Sequence, residues 1–420
     1  MKKLNPRPYA SGILKRSSRI LILSILLFSC APRVIDSEEK VNIPVIKVLL
    51  NTTTLTDTIV FSGTYFMDTE EARYEFGKSN NQVYLSLLSD GYKIYNDNRL
   101  FLFRNNDKIA FVPQDPSATF MINNNRYEGQ LNISVADSNH LYLINNIDLE
   151  SYLKGVVPAE IFTDNDTLID AVKAQAICAR TYAIKKMETN KNKQFHVYAD
   201  VRDQVYNGAG IRKVLSDFAV DETRGNVLAY GNKIADVYFH ASCGGMLEGV
   251  ENVWQGTAEP YLTSAQDVIG KQFADIESPY YRWIQTRTPQ QLDSLYNYSF
   301  GISHLSDVVD DTMDIPFTVK VSERYPSGRI KKMSVQYGTD HRELSGYQIR
   351  KFFGWPPGKL LPSTLLKFAS NNSALVIYGA GNGHGVGLCQ FGAMYKARKG
   401  LQYYHILQSY FPGTTLKKLY

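Results

Sequence analysis

Four cysteines in 420 residues are too few for a disulfide framework. Cys30 closes an apolar run near the N-terminus, so the body of the chain keeps Cys178, Cys243 and Cys389. An odd number leaves at least one thiol unpaired in an oxidising compartment. Cys178 falls in an expected buried helix, where it serves as a small hydrophobe. Long hydrophobic runs are scarce: residues 20–28 make about half the ~20 that a membrane-spanning helix needs. No G-x-G-x-x-G is completed near residue 380, and no phosphate-loop Lys-Ser/Thr follows, so no cofactor is expected. H-E-x-x-H, C-x-x-C and G-x-S-x-G are absent as well. There is no internal repeat and no long low-complexity segment.

The body also lacks a charge excess. The net charge is +5, but Lys2, Lys3, Arg7, Lys15, Arg16 and Arg19 precede Cys30 with no acid among them, leaving −1 for the remainder. The basic balance belongs to the first 29 residues and gives no support for a nucleic-acid partner. Those residues read as a secretory signal, a basic stretch followed by ILILSILLFSC. Leu27-Phe28-Ser29-Cys30 is similar to a bacterial lipobox, with Phe28 bulkier than usual, so Cys30 is the expected lipidation site. Residues 30–42 form a polar tether.

What remains is ordinary globular composition, 44% hydrophobic and 21% charged, with 28 tyrosines that suit sheets and sugar-facing surfaces. Residues 43–135 read as a β-rich region of short β-branched and aromatic runs between turns. From 136 to 420 helices join the strands. DLESYLKGVV opens a helix with Asp148 as N-cap, and Pro158 is expected to stop it. A second helix over 167–187 carries small residues at 171, 174, 176, 179 and 183, which allow close packing. Further helices are expected over 289–296, 345–353 and in CQFGAMYKARKG and YYHILQSYF; FTVKVSERYPSGRIKKMSVQYG reads as a hairpin. The fold class is α+β, with mostly antiparallel strands and a few packed helices in one composite body.

Several residues compete as carriers of chemistry. His240, Cys243, His384 and Cys389 could supply soft metal ligands if their stretches meet, and a Cys243–Cys389 disulfide would require the same proximity. Gln175 and Arg180 are polar positions in a tightly packed helix and need partners, which makes them structural ties or part of a site. Glu160 lies between GVVPA and Ile161, where apolar neighbours disfavour the charged carboxylate. A carboxyl kept protonated near neutrality can give a proton to a glycosidic oxygen and take one back. Composition alone favours the plainer reading of a glutamate at a helix start.

The motifs NNIDLESYLKGVVPAEI, AVKAQAICARTYAI, DQVYNG, YFHASCGGMLEGVENVW, SPYYRWIQTRTPQQLDSLY, LSGYQIRKFFGW, GHGVGLCQFGAMYKARKG and ILQSYFPGT occur in this order. Together they resemble the stage II sporulation protein D and amidase-enhancer family of bacterial cell-wall proteins, from about residue 127 to the end. The resemblance implies a lytic transglycosylase. Such an enzyme cleaves the MurNAc–GlcNAc bond of peptidoglycan glycan strands, preferably strands stripped of stem peptides, and leaves 1,6-anhydroMurNAc ends. Glu160 falls at the family's catalytic glutamate, acting as acid and then base. A hydrolase would normally need a second carboxylate; Glu150 is expected to support the helix dipole instead. Gln175, Arg180, Gln204, Tyr206, His240, His384 and Gln390 are expected to bind substrate or support the site. Cys243 and Cys389 depart from the family's commoner residues. The implied partners are glycan strands, a peptidoglycan amidase and, through Cys30, a membrane, with the protein exported to the periplasm or cell envelope. The alternative is a non-catalytic glycan-binding enhancer of an amidase.

Overall fold

The computed structural model describes residues 42–420 except 54–55, 70–71, 78–80, 138–139, 255, 303–316 and 372–373. The expected signal segment, Cys30 and the tether up to residue 41 lie outside the described residues.

The alternation in HLYLINNID buries Leu141, Leu143 and Ile147 on one face of the strand His140–Asp148, as a period of two requires. That strand is inserted between Val45–Thr53 and Gln130–Asp137, antiparallel to both, with Ile46 opposite Ile147 and Ile133 opposite Leu143. The resulting seven-stranded sheet continues through Ile109–Pro113, Tyr65–Asp68 and Arg73–Phe76 and ends on its other side at Val197–Tyr198. Strand pairing thus crosses the expected boundary at residue 135. A six-stranded sheet centred on Thr56–Ser62 and Gln82–Leu87 packs on it. Phe61 of the second sheet meets Phe111 of the first with ring centroids 5.0 Å apart. The fold is α+β, with a β-rich N-terminal part.

Asp148 accepts from the Ser151 N–H at 3.0 Å and caps the helix Leu149–Glu160. Contrary to expectation, Pro158 does not stop this helix. It lies in the last turn, where its missing N–H removes only one bond to the carbonyl a turn earlier, and the Ile161 N–H still reaches the Val157 carbonyl at 3.1 Å. The second helix begins later than expected. Asn165 caps a short turn, Asp166–Leu168, and the α-helix proper runs Ile169–Thr189. Its small residues Ala171, Ala174, Ala176, Ala179 and Ala183 are buried. They let the helices Leu149–Glu160, Val214–Glu222, Gln390–Arg398 and Tyr403–Tyr410 pack around it. A separate core forms between residues 283 and 377, where Leu292, Tyr296, Val335, Ile349, Phe353 and Ile377 are buried together. Among the described residues, no helix is long and apolar enough to cross a membrane.

Glu150 stands in the first turn, as expected, but it is buried and carries an ion pair besides any support of the helix dipole. Its carboxylate is buried and takes a two-bond grip from Arg180, Nε to Oε1 at 2.8 Å and Nη2 to Oε2 at 2.7 Å. Tyr420 donates to it at 2.5 Å. Arg180 spends its other donors on Thr223 Oγ1 and on the carbonyls of Val220 and Asn226. Burial alone would raise the Glu150 pKa, but the Arg180 hydrogen bond and charge outweigh it and hold the group below its usual value. The contribution is therefore full above the unfolded pKa, about 4.3, and is lost as pH falls through the depressed folded value. Arg180→Met leaves a buried unpaired carboxylate and should cost about 3–5 kcal/mol in denaturant unfolding at neutral pH. The penalty should shrink in the double variant Glu150→Leu/Arg180→Met.

Candidate active site

Glu160 is the last residue of its helix and is half-buried. One carboxylate oxygen accepts from the Val205 N–H at 3.0 Å, and the other faces Gln390 Nε2 at a long 3.5 Å. Burial raises its pKa, with those two donors pulling in the other direction. The negative end of the helix dipole opposes the charged form as well. The group is thus biased toward the protonated acid without losing contact with donors that steady the carboxylate.

The segment DQVYNG supplies the Val205 N–H and is itself anchored in the core. Tyr206 lies under Gly155 and donates to Asn145 Oδ1 at 3.0 Å. Gln204, fully buried, accepts from the Tyr152 hydroxyl at 3.1 Å and donates to the Ala179 carbonyl. Gln204, Tyr206 and Arg180 are therefore enclosed by protein and hold the frame of the site. Gln175 is also fully buried, with neither amide atom hydrogen-bonded.

Asp203 shares the surroundings of Glu160. Both charges act on Tyr152 and Tyr182, whose hydroxyls are raised chiefly by burial. Yet Asp203 is fully engaged, by the Tyr182 hydroxyl at 2.6 Å, Lys186 Nζ at 2.7 Å and the Tyr198 N–H at 2.9 Å. It is an ion-paired carboxylate, whereas Glu160 is held by one backbone N–H and a long amide contact.

The glycine loop approaches from the far end of the chain. Phe239–His240 and Leu388–Cys389 pair as parallel strands, which brings GHGVGLCQ beside YFHASCGG. His384 accepts from the Val386 N–H on Nδ1 at 3.0 Å and donates from Nε2 to the Phe239 carbonyl at 3.0 Å. Both ring nitrogens are used, and burial followed by the charges of Arg350 and Arg329 pushes its pKa down to about 3. His384 is a neutral brace, packed on Trp254 with centroids 4.9 Å apart. It does not join the thiols. His240, Cys243 and Cys389 do converge, with potential ligand atoms all within 4.8 Å of one another. Both cysteines are free.

A cleft of about 1130 Å³ runs past Tyr182, Phe239, Tyr238, Trp254 and His384. The Tyr238 and Trp254 rings stack at 4.4 Å, and Trp254 is 47% exposed, an apolar face suited to the C–H side of a sugar. Lys185, Lys186, Lys193 and Arg202 line it with Asp203 and Asp236; Lys186 pairs with Asp203, Lys185 with Asp236 and Arg202 with Asp200. Sequence reasoning missed Val205, whose contribution is a backbone N–H, and also Tyr182, Asp203 and Trp254. All four lie inside motifs quoted above, but nothing local marked them out from the other residues of those motifs.

Residues 137–230 match the family described as Stage II sporulation protein, and residues 266–387 match a domain of unknown function. An uncharacterized protein of Brachyspira hyodysenteriae is 30% identical over 310 residues, 73% of this chain and 76% of that protein. Stage II sporulation protein D of Bacillus amyloliquefaciens is 28% identical over 300 residues, 67% of this chain and 77% of its own. Amidase enhancer of Bacillus subtilis is 27% identical over 302 residues, 63% of this chain but only 40% of the relative. The family match over residues 137–230 spans Glu160, the central helix and DQVYNG.

Gly155 offers a test of the frame. A Cβ there would lie 2.6 Å from the Tyr206 ring and 2.8 Å from the Gly208 carbonyl oxygen. Helix propensity predicts that Gly155→Ala gains about 1 kcal/mol. Overpacking predicts a loss of about 1–3 kcal/mol, which is the outcome expected in denaturant unfolding.

Proposed function

The chain belongs to the stage II sporulation protein D family, and on that premise we propose that it is a lytic transglycosylase of the bacterial cell wall. It cleaves the MurNAc–GlcNAc bond of peptidoglycan glycan strands. The observation that carries this reading is a half-buried carboxyl with a raised pKa, Glu160, beside a neighbouring carboxylate already consumed by ion pairing. Protonated Glu160 gives its proton to the glycosidic oxygen as the bond from C1 of MurNAc to that oxygen breaks, and GlcNAc leaves with a free hydroxyl. The C6 hydroxyl of the same MurNAc then bonds to C1 while its proton passes to the Glu160 carboxylate. The product is a 1,6-anhydroMurNAc end, no water is consumed, and the acid is regenerated. One carboxyl suffices, whereas hydrolysis would call on a second.

The family resemblance is what supports a preference for denuded strands, in which removal of the stem peptide frees a lactyl carboxylate on each MurNAc that Lys193 at the cleft could meet. Export and a lipid anchor at Cys30 would place the enzyme at the cell envelope beside its substrate. A second reading, a glycan-binding enhancer of a peptidoglycan amidase, draws on the name of one relative.

Purified protein should release anhydromuramyl ends from denuded glycan, detected by mass spectrometry. Glu160→Gln should lower the rate by at least about 10²-fold, the usual scale of general acid catalysis. Absence of such ends from the wild type, with stimulation of an added amidase, would replace this reading with the second. Because its pKa is raised, Glu160 keeps its proton above the ordinary carboxylate range. The alkaline limb of kcat/KM should report that value. Gln390→Ala removes a donor to the charged form, so its limb should move to still higher pH.

A further inference from the structure

Three buried side chains that the proposed reaction does not use meet at one point. His240 and Cys389 are opposite each other in the parallel strand pair, and Cys243 follows in the SCGG turn. The Cys243 N–H points at Cys389 Sγ, 3.3 Å away. His240 is only 5% exposed. Its Nδ1 lies 3.1 Å from the Val386 carbonyl, which can only accept, so the proton sits on Nδ1 and Nε2 carries the lone pair. That Nε2 is buried and has no hydrogen-bond partner. A buried lone pair left unanswered is costly, and here it belongs to an imidazole with two thiols inside 4.8 Å.

We propose that His240 Nε2, Cys243 Sγ and Cys389 Sγ bind a zinc-like divalent cation. The ligand set is soft and matches a Cys₂His site. Donation by the remote imidazole nitrogen to a backbone carbonyl is the arrangement that orients metal-bound histidines. On binding, each thiol loses its proton to solvent, and two thiolates with one imidazole balance the double charge of the ion. Burial, with the charges of Asp267 and Asp275 adding to it, keeps both thiols protonated without the ion. Arg329, whose Nη2 is 2.9 Å from the Cys243 carbonyl oxygen, partly offsets those charges. Asp267 Oδ2 is 3.5 Å from Cys243 Sγ but already accepts from the Tyr410 hydroxyl at 3.0 Å, so the fourth position falls to water. His384 is not a ligand, because both its nitrogens are engaged. The ion would lock the SCGG turn to the glycine loop. Cys389 directly precedes Gln390, so the same lock would fix the amide that faces Glu160.

The test does not depend on glycan cleavage, so its failure leaves the proposed function untouched. Reduced, metal-stripped full-length protein is titrated with Co²⁺. One equivalent should produce a thiolate-to-cobalt charge-transfer band and intense tetrahedral d–d bands, both abolished by Zn²⁺ displacement. Protein purified without chelator should retain about one zinc per chain by elemental analysis, and Cys243→Ser/Cys389→Ser should retain none. The wild-type cobalt spectrum decides even where that variant folds poorly. A featureless cobalt titration would overturn the proposal. So would a Cys243–Cys389 disulfide in the peptide map of the protein isolated without reductant.

Discussion

The buried grip of Arg180 on Glu150 sets the direction of the helix whose opposite end carries Glu160. Ten residues separate the two glutamates, about 15 Å of helix, so a small rotation at one end becomes a displacement at the other. Such a pair adds little net free energy over an apolar replacement. Its effect is geometric, because the planar guanidinium fork meets its acceptors in a single arrangement. That arrangement joins the first helix, the central helix, the Val220–Asn226 stretch and the C-terminal Tyr420.

With the helix fixed, the fates of two nearby carboxylates diverge through their surroundings. Asp203 has a phenol, an ammonium and a backbone N–H at close range. Glu160 has one good donor and one distant amide, against burial and the helix terminus.

The two distant stretches around His240 and His384 complete the site by backbone pairing. Close approach there depends on glycine: at Gly383, φ is +112° and a Cβ would come within 2.7 Å of His240 Cβ. The region with its own core also reaches in. Arg329, at the end of the Pro-Ser-Gly turn, donates to the carbonyls of Met246 and Cys243. Its guanidinium packs where a side chain at Gly385 would sit. The glycines of GHGVG thus make room for protein, with His384 bracing the loop as a neutral ring.

Periodicity and local chemistry made the strands, the Asp148 cap, the Ala-rich central helix and the α+β class legible in advance, because those signals are carried by neighbours in sequence. Pro158 misled, since a proline in a last turn costs one bond and a proline mid-helix costs far more. Glu160 stood out by its apolar flanks and by resemblance. The sequence by itself determined which residues could do chemistry. Only the tertiary structure decided which were free to do it. It enclosed Arg180 and Gln204 within protein, turned Glu150 into a buried counter-ion, satisfied both nitrogens of His384 and left His240 Nε2 facing two thiols. The reason is that a polar group's role depends on who answers its hydrogen bonds, and those partners come from elsewhere in the chain, 30 residues away for Glu150 and Arg180 and 270 for Glu150 and Tyr420.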